Sequence, residues 1–140
     1  MEKTDLSKFL KAQEPVYASA LAEITSGRKH GHWMWYIFPQ ISGLGISSTS
    51  VHYAIDNIAH ATSYLQHPIL GKRLIQISEA VLSLEGKTAY QVFGSPDDLK
   101  LKSSMTLFSS VHNTDPVFQK VLNKYFNGIP DQKTLEIIRS

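Results

Sequence analysis

The sequence contains no cysteine, which excludes disulfides, thiolate nucleophiles and cysteine-ligated metals and suits a reducing compartment. It also lacks an excess of charge of either sign: Lys and Arg number 14 against 12 Asp and Glu, a net +2 with His neutral. The basic residues are dispersed, with Arg28–Lys29, Lys72–Arg73 and Lys100/Lys102 as the local clusters. No concentrated basic face therefore argues for nucleic acid as a partner. No apolar run approaches the roughly 20 residues of a spanning helix, so no membrane partner is expected. The start, MEKTDLSKFLKAQE, is charged and amphipathic, without an apolar signal-peptide core. Repeats and low-complexity stretches are missing, and so is clean period-2 alternation; only WMWYIF could pass for a strand.

What remains, 140 residues of which 42% are hydrophobic and 19% charged, is the composition of one ordinary globular domain spanning residues 1–140. The punctuation predicts a cytoplasmic, soluble, all-α protein of six to eight short helices. Asp5 caps a helix carrying Leu6, Phe9 and Leu10, and Pro15 opens a second that closes at Gly27. Thr49 or Ser50 caps a long helix whose stripe runs Val51, Ala54, Ile55, Ile58, Ala61 and Leu65. His67–Pro68 opens the next, with Leu70, Leu74, Ile77, Val81 and Leu84 inward, and TAYQVFG follows as a turn. Ser95–Pro96–Asp97–Asp98, with Ser at the cap and Pro first, starts a helix through Leu101, Met105 and Phe108. Thr114–Asp115–Pro116 starts one ending at Gly128, and Asp131 starts the last.

One irregular aromatic and glycine-rich segment interrupts this pattern: HGHWMWYIFPQISGLGISSTSVHY, residues 30–53. Its rings suit a buried connector filling the centre of a small domain. Its polar residues suit a second reading, a pocket for a flat ligand such as a nucleobase. In that pocket Trp33, Trp35 and Phe38 supply rings, and Gln40 supplies an amide. The loop Gly43–Gly45–Ser47–Ser48 leads into a helix start whose free N–H groups favour phosphate. His52 and Tyr53 form the edge, and Ser103 and Ser104 approach from another helix. Arg28, Lys29 and Lys102 are the nearest cations. The loop lacks the lysine and the preceding strand of a phosphate-binding fingerprint.

Metal and nucleophile signals are weaker. His30-x-His32 could chelate, and His52 and His60 lie eight apart, yet no HExxH is present and no carboxylate stands at ligand spacing. No metal and no cofactor is expected. No G-x-S-x-G elbow marks a nucleophilic serine.

The combination KHGHWMWYIFPQISGLGISS, YLQHPILGKRL, VFGSPDDLKLKSSMTLF and PDQKTLEI resembles the domain-of-unknown-function family numbered 1810 over nearly the whole chain. That resemblance implies a small all-α fold and carries no settled activity. A second, fainter likeness is to the NADAR family, which acts on N-glycosidic bonds of ADP-ribose-type nucleotides. It is carried by HYAIDNIAHA (52–61) and SSMTLFSSVHNTDPVFQKVL (103–122). That family has a glutamate immediately before the His-Tyr pair, and here the position is Val51, which can serve as neither acid nor base.

Together these features lead to the expectation of a protein that binds, and sequesters, a nucleotide-like ligand of the ADP-ribose, NAD or cyclic-nucleotide type. Two alternatives are an N-glycosidase acting on such nucleotides and a protein-interaction domain with no small-molecule ligand.

Overall fold

The structure, a computed structural model, describes residues 5–140. It is all-α, with ten helical segments among the described residues: α1 (Ser7–Gln13), α2 (Tyr17–Thr25), α3 (Met34–Ile37), α4 (Ser48–His52), α5 (Ile58–Gln66), α6 (Leu70–Ser83), α7 (Ala89–Phe93), α8 (Asp97–Ser109), α9 (Val117–Phe126) and α10 (Gln132–Arg139). Four of them, α5, α6, α8 and α9, form the body, while α2 lies along α6 and α10 along α8.

The count exceeds the expected six to eight for identifiable reasons. The helix anticipated across 51–65 is divided. Ile55 leaves the helical path to form an isolated parallel bridge with Ile41, donating to the Gln40 carbonyl at 2.8 Å and accepting from Ser42 N–H at 2.8 Å. Asn57 then caps a fresh start by accepting from His60 N–H at 2.8 Å. The cap of α4 is Ser47, not Thr49 or Ser50. WMWYIF is no strand, since Met34–Ile37 make one helical turn. The TAYQVFG turn contains α7, started by a capping box in which Thr88 and Gln91 satisfy each other's backbone N–H. Ser95 does not cap α8: the Ser95–Pro96 peptide is cis, and Pro96 precedes the first helical residue without a side-chain cap.

Elsewhere the helices start near the expected places. Asp131 caps α10 by accepting from Thr134 N–H at 2.9 Å. Asp115 accepts from Val117 N–H at 2.8 Å and Asp5 from Ser7 N–H at 2.9 Å, but Pro116 and Leu6 occupy the cap positions, without a side-chain cap bond. Asn127 turns left-handed after α9, with φ 56°, and Gly128 follows at φ 75°.

The core lies where these faces meet. Leu70, Leu74, Ile77 and Val81 of α6 meet Phe118, Val121 and Leu122 of α9 and Leu101, Met105 and Phe108 of α8. From Ser103 to Phe108, α8 is buried on every side, which makes it the central helix. Two of its polar residues return hydroxyls to their own backbone, Ser103 to Leu99 O at 3.1 Å and Thr106 to Lys102 O at 2.8 Å. That local bonding is what allows small polar residues inside a core. A polar thread crosses the interior at Gln13, whose amide donates to Tyr36 O at 2.7 Å and to the Tyr64 hydroxyl at 2.9 Å. Among the described residues no helix is long and apolar enough to cross a membrane.

Candidate functional site

The aromatic segment is built around Glu23, on α2. One carboxylate oxygen accepts from His30 N–H at 2.7 Å, Gly31 N–H at 2.9 Å and the Trp33 indole N–H at 3.0 Å. Burial raises the Glu23 carboxyl, but these donors outweigh it and hold its pKa below the ordinary 4.5. The consequence is a fixed loop between α2 and α3. Lys29 closes it from the other side. Its backbone N–H donates to Val92 O at 2.7 Å, and its side chain, 7% exposed, brings the ammonium group to 2.9 Å from Asp97 at the start of α8. The same ammonium stands 4.9 Å from the Trp33 ring centroid, a cation–π contact strengthened by its burial.

This anchoring separates the residues that the sequence places together. Trp33 and Phe38 are sealed in the core, 6.2 Å apart, with Phe93 edge-on to Phe38 at 5.9 Å. Neither ring offers a face to a ligand. Ser103 and Ser104 are buried inside α8. Lys102 is half-buried, its ammonium 5.9 Å from the Phe126 ring. Ser47 spends its hydroxyl capping α4, and Ser48 and His52 are exposed.

Trp35, Gln40, Gly43, Gly45 and Tyr53 do converge, with Ser50 and Val51, around one depression. Its free volume is about 20 Å³, enough for a single water and far below the roughly 300–1,000 Å³ of small-molecule sites. Gly45 is squeezed from within, since a Cβ there would sit 2.5 Å from Ser50 Cβ. Trp35 is covered in part by Lys100, 5.2 Å from its ring, and Tyr53 packs on Tyr36 at 5.2 Å and on Phe9 at 5.8 Å. In this arrangement the segment is a packed elbow with a water-sized dimple.

A larger groove lies on the other side of the Lys29 anchor, between the loop after α2 and the stretch 86–94. It measures about 480 Å³ and is lined by Arg28, Lys29, Gly86, Lys87, Tyr90, Gln91, Val92, Phe93 and Gly94. Arg28 is exposed, and its guanidinium has no hydrogen-bond or ion-pair partner among the described residues. Lys87 reaches across to donate to Gly27 O at 3.2 Å, and Tyr90 stands 64% exposed. The floor is Val92 and Phe93, both buried. No carboxylate is in the lining; the nearby Asp97 is held between Lys29 at 2.9 Å and Lys100 at 3.6 Å. Of the expected site residues only Arg28 lines this groove, together with Lys29, the cation adjoining it. Lys87 and Tyr90 were hidden in a stretch that resembles a plain turn. The available signal was the cation between two glycines, Gly86 and Gly94, both of which adopt φ 71°.

A second groove of about 500 Å³ runs between α5 and the loop before α9, with Leu65, Ile75 and Val111 inside and Gln66, His112 and Asn113 at its rim. It holds no cation. Among the described residues no three His, Asp or Glu side chains come together as metal ligands.

Fold and groove thus define a small all-helical protein in which a cationic surface groove flanks a packed aromatic elbow. The chain belongs to the family described as protein of unknown function DUF1810, whose model matches residues 3–138. It is similar to the conserved hypothetical protein Rv1873 from Mycobacterium tuberculosis, whose crystal structure superimposes with a TM-score of 0.97 at 43% identity over 99% of each chain. No curated protein matches it.

Proposed function

We propose that this protein binds a nucleotide-like small molecule, and that the groove between Arg28 and Tyr90 holds it. The observation that supports this reading is the pairing of two cations, Arg28 and Lys87, with the exposed ring of Tyr90 around about 480 Å³ of open space. An aromatic face stacks a base, cations receive its phosphate, and the volume accommodates both. The glycine-rich depression offers polar groups without the room.

Binding, rather than cleavage of an N-glycosidic bond, follows from the lining. Hydrolysis of such bonds calls on carboxylates to stabilise an oxocarbenium-like centre and to activate water. The groove presents none, and Asp97 is neutralised by two lysines. A protein-docking role has less support: Ile46, 99% exposed on the glycine-rich loop, is the kind of isolated apolar residue that ordinary surfaces carry.

Calorimetry against ADP-ribose, NAD, cyclic dinucleotides and simple nucleotides tests the proposal. Binding in the micromolar range is expected for at least one member, weakened about tenfold by Tyr90→Ala from the loss of one stacking contact. Loss of binding in Trp35→Ala or His52→Ala with Tyr90→Ala unaffected would place the site at the glycine-rich elbow instead. If no member binds, the function is wrong.

A further inference from the structure

We infer that the ligand of the Arg28–Tyr90 groove is a dianion: a nucleoside monophosphate or a pyrophosphate-linked ADP-ribose-type molecule, in preference to a nucleoside or a triphosphate. This deepens the binding function proposed above and rests on it.

Three cations line the groove, but they are not equivalent. Lys29 is committed: its side chain is 7% exposed, and its ammonium pairs with Asp97 at 2.9 Å and also donates to Gly31 O. Turning it toward a ligand would leave the partly buried Asp97 with Lys100 alone at 3.6 Å and take the ammonium off the Trp33 ring, so Lys29 shapes the floor and contributes no free charge. Arg28 and Lys87 remain. Arg28 is exposed with no partner among the described residues, and Lys87 has only the neutral Gly27 carbonyl at 3.2 Å. The groove therefore offers two unneutralised positive charges and no lining carboxylate.

A phosphomonoester carries about −1.5 to −2 at neutral pH, and a pyrophosphate diester carries one charge on each phosphorus, so either neutralises this pair. A triphosphate brings further charges for which no free cation remains, and these stay in water. The two cations also differ in kind. Arg28 presents a planar fork suited to two oxygens of one phosphate, and Lys87 presents a mobile point charge. Arg28 leaves the α2–α3 loop and Lys87 the α6–α7 connection, so the phosphate would bridge two chain segments, with Tyr90 at the base end.

Calorimetry with adenosine, AMP, ADP-ribose and ATP, at physiological and raised salt, tests this. AMP and ADP-ribose are expected to bind at least about tenfold tighter than adenosine, with the difference shrinking at high salt. ATP should gain no more than about twofold over AMP. Arg28→Gln and Lys87→Gln should each weaken AMP by about tenfold and leave adenosine unchanged, and Arg28→Lys should recover part of the loss. Arg28 is exposed, so its variants decide the matter even if Lys87→Gln disturbs the Gly27 turn. Adenosine binding as tightly as AMP, or ATP binding tenfold tighter than AMP, overturns the dianion assignment while the binding function stands. Failure of all four ligands overturns the dianion assignment, and the binding function falls with it when NAD, the cyclic dinucleotides and the other simple nucleotides fail as well.

Discussion

Gly71 has the closest backbone approach of the glycines among the described residues, and replacing it with alanine should cost more than its helical position suggests. It lies in the first turn of α6 with no unusual dihedral, where Gly→Ala ordinarily stabilises by up to about 1 kcal/mol. Here a Cβ would meet Leu65 O at 2.0 Å, Leu65 C at 2.8 Å and Leu65 Cα at 3.2 Å, whereas real Cβ atoms essentially never come within 3.0 Å. The obstacle is backbone, so no rotamer change relieves it. The last turn of α5 and the start of α6 would have to part by about 1 Å, within an interior packed at crystal-like density. They are also tied together: Gly71 N–H donates to His67 O at 3.0 Å, and His67 Nδ1 accepts from Ile69 N–H at 3.1 Å and Leu70 N–H at 3.2 Å. Overpacking of this kind costs roughly 1–3 kcal/mol, occasionally more, and an immovable neighbour puts Gly71→Ala at the upper end. Net of helix propensity the loss should be about 2 kcal/mol, which for a chain of this size lowers Tm by roughly 6–8 °C. Urea unfolding followed by circular dichroism should show a lower midpoint at unchanged slope. A variant as stable as the parent, or more so, would refute the close-approach reasoning.

Glu23→Ala removes the acceptor of three N–H groups and should destabilise by roughly 2–4 kcal/mol, with Glu23→Gln losing less; equal losses would mean that the charge is irrelevant. Burial of His60, opposed by Asp56 and aided by Lys8, lowers its pKa below the ordinary 6.5. The unfolded chain then binds the proton first, so stability is complete above pH 6.5 and falls as the pH drops below it. Since Glu23 contributes a further acid loss only below 4.5, urea midpoints between those values should decline in the parent and flatten in His60→Gln; an unchanged slope removes His60 from the account. Ser104 is fully buried with its hydroxyl unpartnered among the described residues. Ser104→Ala should therefore raise stability by roughly 0.5–2 kcal/mol, and a fall in Tm would show that the hydroxyl is satisfied in solution.

The fold class and most helix starts are legible in the order of residues, because those are written locally. The Asp131 cap, the Asp115–Pro116 start, the α6 stripe from Leu70 to Val81 and the stop at Gly128 each depend on side chains within a few residues of the backbone they serve. Local chemistry does not record what happens when distant segments compete for the same backbone. Ile55 sits in a helical pattern, yet it pairs with Ile41 outside any helix. The aromatic segment shows the same limit for the site. Trp33 and Phe38 carry the right rings for a base, but both are buried, Trp33 held by the Glu23 and Lys29 anchors, and the glycine loop packs on Ser50 around about 20 Å³. Tertiary packing instead brings Arg28 beside Lys87 and Tyr90, from segments some sixty residues apart in sequence. No spacing along the chain reveals that meeting, because the helices of the body, not neighbouring residues, set the distance between the two loops.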